Sequence, residues 1–208
     1  VFRAAPDGYT LLVGTPGALV TNKLLIPKLG YDSDLFAPVS VIAESPQVLV
    51  ANSKVGAETL QSLLTLAKAK PDLLNYGSPG NGTVPQLAFE LLKATAGVRI
   101  VHVPFKGNAP ALAALLGGQV EMIIDAISTT RAGVRAGTLR ALAVTGAKRH
   151  ASLPNVPTVS EVLPGFLAIV WYGMVAPPGT PAAITSRISA SVAEALKQPD
   201  AAKRLLDM

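Results

Sequence analysis

Cysteine is absent from the 208 residues, and histidine occurs only at His102 and His150. The lack of cysteine excludes disulfide bonds and thiolate chemistry, and it is compatible with any redox compartment. Two isolated histidines are too few for a convincing metal site. We therefore predict no metal-binding residues, no catalytic residues and no cofactor.

Aromatic residues make up only 5% of the chain, charged residues 15%, and the net charge is +5. The lysines and arginines are scattered and are not interleaved with stacking aromatic residues, as they would be along a nucleic-acid interface. We interpret them as solvated surface residues and predict no nucleic-acid partner.

Long apolar runs are also absent. The longest, around residues 166–178, is far shorter than a membrane span and is interrupted by Gly173. We expect one or two buried strands there and no direct membrane insertion. No signal peptide or targeting segment is visible, and Val1 is not a natural start. Half of the residues are hydrophobic, which is enough to fill the core of one large domain or two small ones.

Short apolar runs alternate with amphipathic segments along the chain, which favours an α/β fold with mostly parallel sheets. Strands are predicted at residues 9–14, 39–42, 47–51, 99–104, 120–124, 139–145 and 167–176. Helices are predicted at residues 59–70 and 181–196. Another helix is predicted to begin at Pro110, and a separate one is predicted to end near Gly137. Thr158 and Glu161 match a capping box, which predicts a short helix after them.

The most informative stretch covers residues 75–97, which we interpret as a strand end, a glycine-rich turn and a helix. Gly77, Gly80 and Gly82 allow a sharp turn and a close approach of the backbone to a ligand. Such a turn directs five backbone N–H groups around one point, those of Gly80, Asn81, Gly82, Thr83 and Val84. That point lies at the positive end of the helix dipole, where an anion is favoured.

The helix that follows is expected to have Thr83 as its N-cap and to end at Gly97. Pro85 falls in its first turn, where a missing N–H group costs little. Leu87 and Leu91, joined by Ala88 and Thr95, are expected to form one face of this helix.

The turn contains no lysine or arginine, and it matches neither the phosphate-loop pattern nor the full dinucleotide fingerprint. A neutral cradle suits a small carboxylate better than a triphosphate. A tight strand–helix connection without a ligand, or a hairpin turn at Asn81-Gly82, is the alternative. Segments 75–84, 105–108 and 125–128 all follow predicted strand ends, so they could converge on one crevice.

Six segments occur in this order in one known family. They are Ala5-Pro-Asp-Gly-Tyr-Thr-Leu-Leu, Asn75-Tyr-Gly-Ser through Gly82-Thr83, His102-Val-Pro-Phe-Lys-Gly, Leu116-Gly-Gly-Gln-Val with Asp125, Leu139-Arg-Ala-Leu-Ala-Val-Thr, and Ala176-Pro-Pro-Gly-Thr-Pro. Through nearly its whole length the sequence resembles the periplasmic solute-binding receptors of tripartite tricarboxylate transporters, the Bug-type receptors.

The resemblance implies a two-lobed periplasmic binding protein of the type II, Venus-flytrap kind, which closes about a hinge. Such a receptor captures a small organic carboxylate in the periplasm and delivers it to membrane transporter subunits. The first lobe would comprise residues 1–45 and 171–208, and the second lobe residues 46–170. Chain crossings near Ser45-Pro46 and Val170-Trp171 would form the hinge.

The resemblance also implies a set of ligand-binding residues. On the first lobe these are Thr15 and Gly17, and on the second they are Ser78, Gly80, Asn81, Gly82, Thr83, Val84, Phe105, Gly107 and Asp125. Asp125 more plausibly orders a neighbouring loop than touches an anion, because like charges repel. We interpret Lys106 as solvated, His102 as a core residue and Trp171 as core or hinge packing.

The sequence departs from the family pattern in several places. A typical receptor has a further segment before Ala5 with a Pro-x-x-x-Gly-Gly loop, and a longer C-terminal segment. We therefore expect an incomplete first lobe, weaker carboxylate binding and a tendency to associate. Gln86 and Phe105 replace a usual histidine and tyrosine, and Gly17-Ala18-Leu19 replaces a polar pattern. These changes remove side-chain contacts but leave backbone donors intact.

Two other functions remain open from the sequence. A ligand-sensing regulatory module could use the same two-lobed fold, and an enzyme could be built on an α/β scaffold. No Gly-x-Ser-x-Gly motif is present to support a hydrolase.

Overall fold

The computed structural model describes residues 1–207, and the chain forms two compact units. The small unit comprises Val1–Ser45 and Val170–Met208, and the large unit comprises Pro46–Ile169. The chain therefore crosses between the units twice, at residues 45–46 and 169–170. The first crossing coincides with the lobe bound that the resemblance implies, and the second differs from it by one residue.

The large unit contains a five-stranded sheet in the order β6-β2-β5-β3-β4. Its strands are β2 (Ala37–Asn52, with its C-terminal part in this unit), β3 (Asn75–Ser78), β4 (Val101–Pro104), β5 (Met122–Ala126) and β6 (Leu139–Val144). Strand β3 is parallel to both β4 and β5, whereas β2 is antiparallel to β5 and β6. The α/β class agrees with the sequence prediction. Four of the five strands run in one direction, but β2 runs against them, so the sheet is mixed rather than parallel throughout.

Four helices cover the two faces of this sheet. Helices α2 (Leu60–Ala69) and α3 (Val84–Ala96) pack in one apolar cluster, and α4 (Asn108–Leu116) and α5 (Ile127–Arg135) pack in a second. Alternate residues of β2 enter different clusters, with Leu49 and Ala51 in the first and Val48 and Val50 in the second. A strand buried on both faces needs a continuous apolar run, which explains the sequence Val-Leu-Val-Ala.

In the small unit, β1 (Leu12–Gly14) pairs antiparallel with β7 (Ile169–Ala176). A π-helix at Gly17–Thr21 leads into the short helix α1 (Asn22–Leu25). Two further helices, α6 (Ala182–Leu196) and α7 (Pro199–Asp207), end the described chain. Single 3₁₀ turns occur at Ser33–Leu35, Ser53–Val55 and Val159–Glu161.

Several local predictions are confirmed. The helix predicted at residues 59–70 is α2, and Thr59 is its N-cap. Thr158 and Glu161 form the predicted capping box, in which each accepts a hydrogen bond from the backbone of the other. Gly97 ends α3 with a left-handed backbone, at φ 64°. These motifs depend on a few adjacent residues, and tertiary packing did not override them.

The two strands predicted at 39–42 and 47–51 are one strand, β2. The strand continues through Pro46, and its pairing begins at Gln47 with β5 and at Val48 with β6. The missing N–H group of Pro46 therefore removes no bond from these ladders. The predicted parallel strand at 9–14 is also shorter than expected and antiparallel.

The predicted face of α3 is wrong. Leu87 and Leu91 are 37% and 43% exposed, whereas Phe89 and Leu92 are fully buried. The Phe89 ring stacks on the Tyr76 ring at a centroid distance of 4.1 Å. Helix α3 has leucine on two adjacent stripes, and the stripe that includes the larger phenylalanine faces the sheet.

This orientation predicts different costs for two truncations on α3. Phe89→Ala should lower the free energy of unfolding by about 3–5 kcal/mol because it leaves a cavity beside Tyr76. Leu87→Ala, the matched control on the exposed stripe, should cost less than about 1 kcal/mol. Urea unfolding of the two variants measures this difference. Equal losses would contradict the assigned face.

Candidate ligand-binding site

The carboxyl ends of β3, β4 and β5 lie at one edge of the large unit's sheet, because these three strands run in the same direction. The loops that follow β3 and β4 are bonded to each other. The Phe105 N–H donates to the Ser78 carbonyl at 2.9 Å, and the Gly107 N–H donates to the Pro79 carbonyl at 3.0 Å. Two of the predicted segments therefore converge, as the sequence suggested.

Glycine is required at several points of these loops. Gly80, Gly82 and Gly107 have φ values of 138°, 76° and 113°, which side-chain-bearing residues rarely adopt. At Gly77 the constraint is space, since a Cβ atom would lie 3.2 Å from the Phe105 ring. The turn is thus fixed by backbone conformation and by close packing.

The five predicted N–H donors of the turn divide into two groups. The Gly80 N–H donates to Ser78 Oγ at 3.1 Å, and the Gly82 N–H donates to Gln86 Oε1 at 3.2 Å. Within residues 1–207, the N–H groups of Asn81, Thr83 and Val84 have no recorded acceptor. Three donors therefore remain available at the start of α3.

Thr83 lies at the predicted N-cap of α3, but its side chain does not cap the helix. The Thr83 hydroxyl instead donates to the Gly80 carbonyl at 2.7 Å. Pro85 follows in the first turn, as expected. The positive end of this 13-residue helix is consequently open to an external acceptor.

Asp125, at the end of β5, is only 1% exposed. Its Oδ1 atom accepts hydrogen bonds from Asn108 Nδ2 and from the Ala126 N–H, the latter at 2.8 Å. Asn108 is the first residue of α4, and Ala126 is the N-cap of α5. Asp125 thus orders the start of both helices, and a direct contact with a ligand stays a prediction.

A line of polar side chains runs beneath the turn, and it includes His102, which was predicted only as a core residue of a strand. The His102 Nε2 atom lies 2.7 Å from Ser78 Oγ, and the His102 ring stacks on Tyr76 at 4.7 Å. The Tyr76 hydroxyl donates to Glu90 at 2.6 Å, and Lys93 donates to the same carboxylate at 2.9 Å. The register of the two strands explains this line, because Tyr76 pairs with His102 and Ser78 lies on the same face of β3 as Tyr76.

Burial and charge set the protonation states along this line. Burial lowers the pKa of His102, opposed by the nearby Glu90 carboxylate. Burial and the bond to Glu90 raise the pKa of Tyr76. For Glu90, burial acts against ionisation, but the bonds from Tyr76 and Lys93 outweigh it and lower the pKa. Near neutral pH, a neutral imidazole therefore faces Ser78.

The small unit contains the other two predicted contacts. Thr15 is exposed, and its carbonyl accepts a bond from the Leu19 N–H at 3.1 Å. Gly17 begins the π-helix, a rare element that often occurs at functional sites. The ligand-binding roles of Thr15 and Gly17 stay predictions.

Other kinds of site find no support in the described residues. Among residues 1–207, no three His, Asp or Glu side chains are grouped so that they could hold a metal ion. No described helix has both the length and the apolar character needed to cross a membrane.

Comparison with known proteins identifies the family. The sequence pattern described as "Tripartite tricarboxylate transporter family receptor" matches residues 1–208. The chain belongs to this receptor family. A curated relative from Pseudomonas sp. strain P51, the "UPF0065 protein in tcbD-tcbE intergenic region", is 39% identical over 99% of the chain. The chain spans 62% of that relative's length.

Two solved structures of similar fold contain a small carboxylate. The R. palustris protein Rpa4515 "with adipate" has a TM-score of 0.90 and 36% identity, with 100% of this chain and 70% of that chain covered. MatC (Rpa3494) from Rhodopseudomonas palustris "with bound malate" has a TM-score of 0.85 and 37% identity, with 100% and 71% covered. The family resemblance and the periplasmic-binding-protein fold predicted from the sequence are confirmed.

His102 should make the stability of the receptor chain depend on pH. Because the pKa of His102 is lower in the folded chain, the unfolded chain binds more protons once the pH falls below about 6.5. The free energy of unfolding should therefore decrease from pH 7 to pH 5.5, and His102→Gln should flatten this dependence. Denaturation at both pH values measures it, with His150→Gln as the control. Equal slopes for the two variants would refute the assignment.

Proposed function

We propose that this chain forms the carboxylate-binding part of a periplasmic receptor that serves a tripartite tricarboxylate-type transporter. The observation that carries the proposal is the start of α3, where the N–H groups of Asn81, Thr83 and Val84 lack acceptors among the described residues. A carboxylate oxygen placed there would accept these donors at the positive end of the helix.

The chemistry of the turn favours a small carboxylate over other anions. Residues 78–84 contain no cationic side chain, and Lys106 in the neighbouring loop is exposed. A di- or triphosphate would need cations to balance its charge, whereas a single carboxylate can be held by a few amide donors. The adipate and malate of the two family members agree with this class of ligand.

The remaining predicted contacts would complete the site. We propose that Ser78 and Gly80 shape the turn, and that Phe105 and Gly107 form the wall contributed by the β4–α4 loop. The bonds from Phe105 N–H to Ser78 and from Gly107 N–H to Pro79 support this arrangement. Thr15 and Gly17 would contribute from the small unit, which we propose is the first lobe of the receptor.

Location, partner and delivery are inferred from family membership. We propose that the protein works in the periplasm and that transporter subunits in the membrane are its partners. The assignment of the large unit as the second lobe belongs to the same proposal, with the crossings at residues 45–46 and 169–170 as its hinge.

The Ser78–His102 pair raises a catalytic alternative, since Ser78 Oγ lies within hydrogen-bond distance of His102 Nε2. Ser78 is, however, fully buried, and its Oγ atom already accepts the Gly80 N–H. A nucleophile must reach its substrate, so this pair is better suited to support the turn than to attack a bond. A receptor role therefore accounts for these contacts more completely.

Calorimetry of the 208-residue chain tests the ligand class. Adipate or malate should release or absorb measurable heat on binding, whereas glucose and arginine should not bind. Binding of only the neutral or cationic compounds would overturn the proposal.

Two glycine substitutions test the location of the site. Gly80→Ala should weaken carboxylate binding roughly tenfold, because alanine is strained at φ 138° and its Cβ would lie 3.4 Å from the Phe105 carbonyl. Gly97→Ala is the matched control, since it is also at positive φ but at the other end of α3 with open space around it. Binding equally weakened in both variants would indicate a general loss of stability and would contradict a site at the turn.

A further inference from the structure

A cavity with a volume of about 220 Å³ lies in the large unit, between α5 and the turn at Ser152 and Leu153. Its lining is partly apolar and partly basic, and consists of Ile127, Thr130, Arg131, Val134, Arg135, Ser152 and Leu153. None of these residues belongs to the candidate site at the start of α3. The cavity is therefore a separate feature that the proposed function does not use.

The charge around this cavity is strongly one-sided. Residues 126–157 include five lysines and arginines and no aspartate or glutamate. Two of the arginines have partners elsewhere, since Arg140 pairs with Glu58 and Arg149 pairs with Glu161. Within the described chain, Arg131 and Arg135 have no carboxylate partner. Of the three remaining cations, Arg131 and Arg135 line the cavity, whereas Lys148 does not.

Arg131 shows this lack of a partner most clearly. Its Nε atom is buried and has no acceptor among the described residues. Buried donors in folded proteins almost always have a partner, so an isolated one points to an acceptor that comes from outside the chain. A guanidinium group binds planar carboxylates well, because its N–H groups match the two carboxylate oxygens.

The hydroxyl groups of the cavity are already engaged within the protein. Thr130 Oγ1 donates to the Ala126 carbonyl at 3.2 Å, and Ser152 Oγ lies 2.7 Å from His150 Nδ1. The recognition elements left for a ligand are therefore the two arginines and the apolar side chains of Ile127, Val134 and Leu153. This combination suits an anion that has an apolar body rather than a sugar or a fully hydrated ion.

We propose that this cavity is a second binding site, specific for a small monocarboxylate with an apolar body. The carboxylate accepts hydrogen bonds from Arg131 and Arg135, and the body packs against Val134 and Leu153. A volume of about 220 Å³ equals roughly seven water molecules at ~30 Å³ each, which is enough for a single ring with a carboxylate. The site does not depend on the carboxylate site at the start of α3.

Nuclear magnetic resonance of the 208-residue chain can test this site residue by residue. Benzoate is the probe, and inorganic phosphate is the anion without an apolar body. We expect benzoate to shift the amide signals of residues 127–135 and 150–153, and phosphate to shift them much less. Because signals of residues 80–84 report on the other site, success or failure at either site can be read separately.

Three variants make the test specific. Arg131→Met keeps the apolar stem but removes the charge, and it should weaken benzoate binding at least tenfold. Arg135→Met should weaken binding in the same direction, which preserves the test if one variant folds poorly. Arg187→Met, on exposed α6 in the small unit, removes the same charge and should leave the affinity unchanged.

Three outcomes would overturn the proposal. The first is the absence of benzoate shifts in residues 127–135 and 150–153 of the unsubstituted chain. The second is equal affinity in Arg131→Met and Arg187→Met, which would mean that only general charge attracts the anion. The third is a phosphate response as strong as that of benzoate, which would show that the apolar walls contribute nothing.

Discussion

The parallel pairing of β3 with β4 is the constraint on which the candidate site depends. It places Ser78 beside Pro104 at the last step of the ladder, so both chains leave the sheet together. The bonds from Phe105 N–H and Gly107 N–H to the first loop continue that pairing beyond the strands. The glycine turn is consequently held by a neighbouring backbone as well as by its own conformation. A turn fixed in this way can present amide donors without first being ordered by a ligand.

One face of β3 and β4 carries a series of polar side chains that are bonded or stacked on one another, although the surrounding sequence is largely apolar. Residues 76 and 78 of β3 and 102 of β4 point to one side of the sheet, where Tyr76 lies between the Phe89 and His102 rings. Glu90 on α3 completes the line from the helix side. The helix that presents the amide donors is thereby tied to the strand beneath it by polar bonds as well as by apolar packing.

Much of this arrangement could be predicted from the sequence where the signal was local. The glycine turn, the N-terminus of α3 and the capping box of Thr158 depend on short runs of residues. The exposure of Leu87 and the continuation of β2 through Pro46 could not be predicted from local sequence. The first depends on how α3 packs on the sheet, and the second depends on which strands pair with β2. The bond between His102 and Ser78 could not be predicted for the same reason, since the two residues are 24 positions apart. The bond from Asn108 at the start of α4 to the buried Asp125 could not be predicted either, because it joins residues that are far apart in the sequence.

Strand β2 extends for 16 residues, and both crossings between the units fall within strands, at residues 45–46 of β2 and 169–170 of β7. Neither connection is a loop, so the units are not tethered by freely jointed chain. Pro46 also fixes one φ angle in β2. Both connections are therefore made of extended strand backbone, which costs less entropy to order than a flexible linker. A longer or glycine-rich linker would have more conformational freedom.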